Sequence, residues 1–303
     1  MACYHPLKGW RAKTANPNGK RGVVFNRQHG FSDLPVTLPC GQCVGCRLEK
    51  SRQWAIRCQH EASLHEQNCF VTLTYSTDNL PPLGSLKLRD FQLFMKRLRE
   101  EIAPKKVRFF HCGEYGEKYQ RPHYHACLFG HDFDDKKPWK ETNENILYTS
   151  ETLTKLWGLG HCSIGAVTFQ SAAYVARYIM KKATGELAED RYLVVDENGE
   201  ILGKRQPEYT TMSRRPGIGS DWLKKYKTDV YPDDFVVVNQ KKMRPPKFYD
   251  NLFEQSDPHQ HRTIKTERKQ STHKYKENNT PARLKVREKI QQKKLNLLPR
   301  NIE

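Results

Sequence analysis

The sequence predicts an α+β fold: an antiparallel β-sheet flanked by helices, preceded by a Cys-rich N-terminal segment and followed by a basic, flexible C-terminal tail. Three observations carry this expectation. Short β-type runs alternate with helical stripes between residues 47 and 253, three cysteines crowd together just ahead of them, and large apolar residues thin out beyond residue 250. At 303 residues the chain can bury a core, which suits one main domain with appendages. The expected division is a Cys-rich segment over 1–46 packed on the main domain, the domain itself over 47–253, and a largely flexible tail over 254–303.

Residues 1–46 are punctuated by Asn16-Pro17-Asn18-Gly19 and by Gly30, and lack a periodicity of their own. From Arg47 to about Glu66 the pattern predicts a helix, with Leu48, Trp54, Ile56 and Cys58 among charged residues. Phe70 to Tyr75 then alternates as a strand. Phe91, Phe94, Met95, Leu98 and Ile102 recur at i, i+3, i+4, i+7 and i+11, the stripe of an amphipathic helix ended by Pro104. A strand is expected over 107–111, and after a Gly-bearing turn its hairpin partner over 123–129. A short helix over 151–157, a strand over 163–169 and a helix from Ala172 to about Lys182 complete the alternation. Residues 254–280 have the composition of a segment that cannot offset its ordering entropy by burial. Arg283 to Leu298 has the pattern of a basic helix that forms on binding.

Lysine and arginine outnumber aspartate and glutamate by 52 to 34, a net charge of +18 that favours a polyanionic partner, nucleic acid first. No apolar run approaches the ~20 residues that span a bilayer, so no membrane role is expected. Met1 to Pro6 lacks the charged and apolar regions of a secretory signal, and the chain is expected to work where it is made. Nine cysteines, an odd number in a chain too large to need disulfide staples, suit a reducing cytoplasm.

Arg121-Pro122-His123-Tyr124-His125 places two histidines two apart in a strand, so both imidazoles share a face. Neutral imidazole is a common metal ligand, and two such ligands leave positions open for a phosphate oxygen and water. Glu114, just before the intervening turn, adds a hard carboxylate, and a His, His, Glu set suits Mg²⁺ or Mn²⁺. His111 and Glu117 are alternative third ligands. Further on, Tyr174 and Tyr178 lie four apart, so on a helix their hydroxyls share a face. A phenol with a free pKa near ~10 needs a nearby cation or a polarised phosphate to act as a nucleophile, and Lys181 and Lys182 follow on the same side. Either pair alone is equally at home on a wet strand or in a helix core.

Order strengthens them. A strand like 70–75, then the histidine strand, then the tyrosine helix is the three-motif order of rolling-circle replication initiators, and the chain resembles the histidine-hydrophobe-histidine (HUH) endonuclease superfamily. Within it the chain is similar to the replication initiators of Microviridae phages, gokushovirus branch. Pro39-Cys40-Gly41-Gln42-Cys43-Val44-Gly45-Cys46-Arg47, Gly113-Glu114-Tyr115-Gly116 with Arg121 to His125, and Tyr174-Val175-Ala176-Arg177-Tyr178 with Lys181-Lys182 carry the match, over about residues 1–250.

The resemblance implies a site-specific single-strand DNA endonuclease and strand transferase. Tyr174 and Tyr178 would alternate as nucleophiles, His123, His125 and Glu114 would hold the metal, and Lys181 or Lys182 would stabilise charge. Attack leaves a 5′-phosphotyrosine and a 3′-hydroxyl that primes a host polymerase, with a host helicase as a further partner and the bacterial cytoplasm as the place of action. A packaging or DNA-binding protein without activity would need only the charge. A water-using metal nuclease would need the metal ligands but not the tyrosines.

Cys40, Cys43 and Cys46 have C-x₂-C-x₂-C spacing in a Gly-bearing loop, and Cys3 would complete a four-thiolate structural zinc site. The cysteine-proline that often completes an iron–sulfur set is missing nearby, which favours zinc; free reduced thiols are the alternative.

Overall fold

The computed structural model describes residues 3–17, 19–116, 119–142, 145–178 and 187–297. The chain forms two compact units: one joins the N-terminal chain up to Lys50 to the chain beyond Lys265, and the other is Ser51–Ile264. In the first unit β1 (Leu7–Ala15) is the middle strand of a three-stranded antiparallel sheet, between β2 (Arg21–Val24) and β3 (Gly30–Leu38). This corrects the expectation of an irregular N-terminal segment. The buried positions of β1 and β3 are Gly9, Ala12 and Gly30, so the strands bury backbone and small residues and present no apolar alternation to read. Gly30 is required where it stands, because a Cβ there would lie 2.4 Å from that of Trp10.

Helix α1 (Val44–Ala62) follows, beginning three residues before the expected start. Next in order come β4 (Asn68–Tyr75), α2 (Leu88–Glu101), β5 (Arg108–Tyr115), β6 (Pro122–Phe129), β7 (Lys137–Thr142), β8 (Asn145–Thr149), α3 (Glu151–Trp157), β9 (Gly160–Gly165) and α4 (Phe169–Tyr178). After α5 (Leu187–Tyr192), a small hairpin of β10 (Leu193–Val195) and β11 (Ile201–Lys204) leads to β12 (Tyr209–Met212). Seven strands form one antiparallel sheet in the order β12-β5-β6-β4-β9-β8-β7, as the fold class expected.

The strand expected over 163–169 ends earlier and the helix after it starts earlier. Thr168 and Ser171 explain the shift: the Ser171 hydroxyl accepts from the Thr168 amide at 2.8 Å and the Thr168 hydroxyl accepts from the Ser171 amide at 3.0 Å, a reciprocal cap that starts α4 at Phe169. The other end of β9 presses so closely on β4 that a Cβ on Gly160, at φ 150°, would lie 2.2 Å from the Ser76 nitrogen.

Each strand sends alternate residues to opposite faces. Val71, Leu73 and Tyr75 of β4 and Tyr124, Ala126 and Leu128 of β6 face α2 and α3, where Phe91, Phe94, Met95, Leu98 and Trp157 close the larger core. The opposite face, with Phe70, Phe110, Cys127 and Phe129, is covered by Ala55 and Cys58 of α1 and by Ala172, Val175 and Ala176 of α4. The Ser51 hydroxyl donates to the Ala173 carbonyl at 2.8 Å, tying α1 to α4.

Beyond the sheet, α6 (Ser220–Lys225), α7 (Lys227–Val230), the hairpin of β13 (Val236–Val238) and β14 (Lys241–Met243), and α8 (Lys247–Ser256) build a third cluster around Ile56, Tyr231, Tyr249 and Phe253. The lysine-rich chain beyond it is helical as α9 (Pro258–His273) and α10 (Pro281–Asn296), the latter coinciding with the basic helix expected from Arg283.

Glu61 of α1 is a buried joint in this unit. Its carboxylate accepts from the Arg108 guanidinium and from the Gly219 amide at 2.6 Å. Burial works against its ionisation, but His65, Gly219 and Arg108 outweigh it and hold the carboxyl below the ordinary value. A carboxyl lowered in the folded state stabilises above its unfolded pKa, and that contribution is lost as pH falls through the folded value. Glu61→Ala is expected to cost about 3–5 kcal/mol in denaturant unfolding at neutral pH, since it strands Arg108. The loss should shrink as pH is lowered below 4.5; a pH-independent difference would contradict this account.

Candidate active site

The pairing of β5 with β6 sets Glu114 directly opposite His123 and Cys112 opposite His125. Strand β5 runs on to Tyr115, so Glu114 lies within the ladder. On the sheet's α1/α4 face the Nε2 atoms of His123 and His125 each lie 2.9 Å from Oε1 of Glu114. All three side chains are buried. Their outer nitrogens are held as well: His123 Nδ1 is 3.0 Å from the Arg121 carbonyl and His125 Nδ1 is 2.9 Å from the Thr72 hydroxyl. A carbonyl can only accept, so His123 carries its proton on Nδ1 and turns the Nε2 lone pair inward, the tautomer that metal-binding histidines adopt.

Burial works against a charge on Glu114, yet the hydrogen bonds with His123 and His125 outweigh it and keep the carboxyl below its ordinary value. The ligand atoms of Glu114, His123 and His125 lie within 4.8 Å of one another. Two imidazoles and a carboxylate converging at that range are a donor set fitted to a divalent cation of the Mg²⁺ or Mn²⁺ kind.

His111, weighed as a third ligand, is excluded by strand parity. It faces the other side of the sheet, stacked on Phe91 with ring centroids 3.4 Å apart, and its Nδ1 is 2.9 Å from the Thr211 hydroxyl. Burial drives its pKa well down, so it is a neutral core residue. Glu117 lies outside the described residues.

Tyr174 projects from α4 onto the same face as the histidines, its ring centroid 5.1 Å from that of His125 in an edge-on contact. Tyr178 is the last residue of α4, with only its backbone described, and Lys181 and Lys182 lie outside the described residues. Sequence reasoning missed Thr72 and Phe70, which hold His125 from β4: Phe70 stacks on it at 5.6 Å. The available signal was the strand at 70–75, whose even-numbered residues face the histidines once β4 is known to pair with β6. Beside the site, Leu80, Gly84, Tyr119, Arg121, Pro122 and Arg205 line a cleft of about 380 Å³.

The second predicted cluster is also assembled. The sulfurs of Cys3, Cys40, Cys43 and Cys46 lie within 4.8 Å of one another. The amides of Tyr4, Cys40 and Cys43 donate to the sulfurs of Cys43, Cys3 and Cys40 at 3.3, 3.2 and 3.3 Å. Burial opposes ionisation of Cys43, but the amides of Tyr4 and Cys46 outweigh it and bring the thiol down to about 6, whereas burial raises Cys46. Four thiols gathered under amide donors fit a closed zinc site.

The family model for the replication-associated protein ORF2 family matches residues 68–183, the stretch from β4 through the histidine strand to the tyrosine helix. Replication-associated protein VP4 of Bdellovibrio phage phiMH2K is 32% identical over 270 residues, covering 85% of this chain and 79% of that protein. Replication-associated protein ORF2 of Spiroplasma virus 4 is 32% identical over 280 residues, covering 84% and 81%. Replication-associated protein ORF4 of Chlamydia phage 1 is 27% identical over 240 residues, covering 74% and 55%. No solved structure matches the chain. The chain belongs to the replication-associated proteins of phages, as a replication initiator of the Microviridae type. Its role is in phage replication. Among the described residues no helix is long and apolar enough to cross a membrane.

For a divalent ion held by Glu114, His123 and His125, Thr72→Val is expected to weaken Mn²⁺ binding by about 10–100-fold while leaving the fold intact, because it removes the partner that orients His125. Calorimetric titration of both proteins with Mn²⁺ checks this; equal affinities would show that Thr72 does not orient the ligand.

Proposed function

We propose that the protein initiates rolling-circle replication as a metal-dependent nicking and joining enzyme that becomes covalently attached to DNA at the viral origin. The convergence of Glu114, His123 and His125 beside Tyr174 carries this reading. A divalent cation bound there would polarise the scissile phosphate and lower the barrier to nucleophilic attack.

Tyr174 is the hydroxyl that α4 brings to this face. Its oxygen attacks phosphorus in line, a 5′-phosphotyrosine bond forms, and the bond from phosphorus to the 3′ oxygen breaks. The phenolic proton leaves with the attack and the departing 3′ oxygen takes up a proton, so the number of phosphate ester bonds is unchanged. Rejoining is the same exchange in reverse, and Tyr178 serves as the second nucleophile, releasing the displaced circle. Lys181 and Lys182 are the cations proposed to stabilise charge in these steps. The 3′-hydroxyl then primes a host polymerase, with a host helicase opening the duplex, in the cytoplasm of the bacterial host.

A packaging protein without activity would have no use for a buried carboxylate between two oriented imidazoles. A water-using nuclease would keep those ligands but would leave no covalent product.

Incubating the protein with end-labelled single-stranded origin DNA and Mn²⁺ is expected to leave label on the protein in a denaturing gel. Tyr174→Phe with Tyr178→Phe should abolish the adduct, and Glu114→Ala should reduce it by about 10²-fold or more, the scale on which removal of a key electrostatic group acts. Cleavage without adduct would favour the hydrolytic reading, and an adduct surviving both tyrosine changes would refute the residue assignment.

A further inference from the structure

The chain's charge is divided unequally. Residues 1–50 and 265–300 carry 20 lysines and arginines against five aspartates and glutamates, whereas residues 51–264 carry 32 against 28. A surplus of 15 therefore belongs to the unit that contains neither the histidines nor the tyrosines, out of a net charge of +18 for the whole chain. Long-range attraction for a polyanion originates largely in this unit.

Within it the chain's two ends are joined. Tyr4, whose amide donates to the Cys43 sulfur, packs its ring 6.0 Å from the Arg287 guanidinium of α10. His5 Nε2 lies 2.7 Å from the Glu288 carboxylate. Helix α10 has one buried side chain, Leu284, so it lacks the apolar face that would hold it by burial alone. Its lysines 285, 289, 293 and 294 are all exposed.

We propose that these two ends form one thiolate-centred module that grips the DNA phosphate backbone without reading sequence, with zinc at Cys3, Cys40, Cys43 and Cys46 fixing the loop on which α10 docks. This rests on the reading of the protein as one that acts on DNA, and it assigns the hold on DNA to a part of the chain distinct from its chemistry. Metal binding at such a site is folding free energy for the segment it organises, so the helix inherits its order from the cysteines.

Two measurements on the full-length protein test this. The first is binding to a labelled non-origin duplex across a salt series without Mg²⁺ or Mn²⁺, so that no cleavage is read. Changing Lys285, Lys289, Lys293 and Lys294 together to Gln is expected to lower the slope of log affinity against log salt by about 0.9 for each phosphate no longer neutralised, and to weaken binding at least about tenfold at moderate salt. The same change at Lys224, Lys225, Lys227 and Lys247, all exposed in the other unit, should have a much smaller effect. An unchanged slope in the first variant, or an equal drop in the second, would overturn the assignment.

The second is amide exchange with zinc added or chelated. Loss of zinc, or Cys43→Ser, should strip protection from Pro281–Asn296 and leave β4 and β6 protected. Protection of α10 that ignores both changes would overturn the role given to the cysteines. Failure of either test leaves the tyrosine adduct assay standing, and failure of that assay leaves these standing.

Discussion

Everything at the candidate active site depends on the two-residue alternation of the β5–β6 ladder. Glu114 and His123 are direct partners, and His125 lies two residues further along the same face. A one-residue slip would carry these groups into the core around Phe91 and bring Tyr124 and His111 out in their place. The register is fixed by the face that is not polar. Tyr124, Ala126 and Leu128 fill the core against α2, so the histidines are aimed by their apolar neighbours.

That arrangement places a carboxylate and two imidazoles out of water, which a fold tolerates only when each has partners. Here Glu114 lies between both histidines, and Arg121 and Thr72 hold the outer nitrogens. Helix α4 then has to be small where it crosses the sheet. Ala172, Val175 and Ala176 let it lie close, and Tyr174 is the large side chain it brings to His125. The same closeness would suit a nucleophile that must reach a phosphate without a long flexible arm.

Much of this was legible in the sequence alone. The stripe of α2 is complete in Phe91, Phe94, Met95 and Leu98 because a helix buried on one side must repeat at that spacing. His123 and His125 could be placed on one face by period alone, whereas the choice of Glu114 over His111 could not, since it turns on which residues of β5 stand opposite β6. The N-terminal strands were hidden because Gly9, Ala12 and Gly30 bury no side chain large enough to mark a pattern. Cys3 joined the other cysteines across a gap of 37 residues, which spacing rules could suggest but only the folded β1–β3 sheet brings about. Thr72 was passed over because threonine in a strand is unremarkable until its cross-strand neighbour is known.

The seven-stranded sheet also ends in two edges, and both are poor templates. At one, β12 offers only four residues alongside β5. At the other, β7 carries Pro138, which lacks an amide donor, between lysines 137 and 140, and its pairing with β8 shifts register there. An unpaired strand from a neighbouring molecule would find no uninterrupted row of donors and acceptors to extend. Copies made quickly and at high local concentration would thus be kept from zipping into aggregates by the strands farthest from any chemistry.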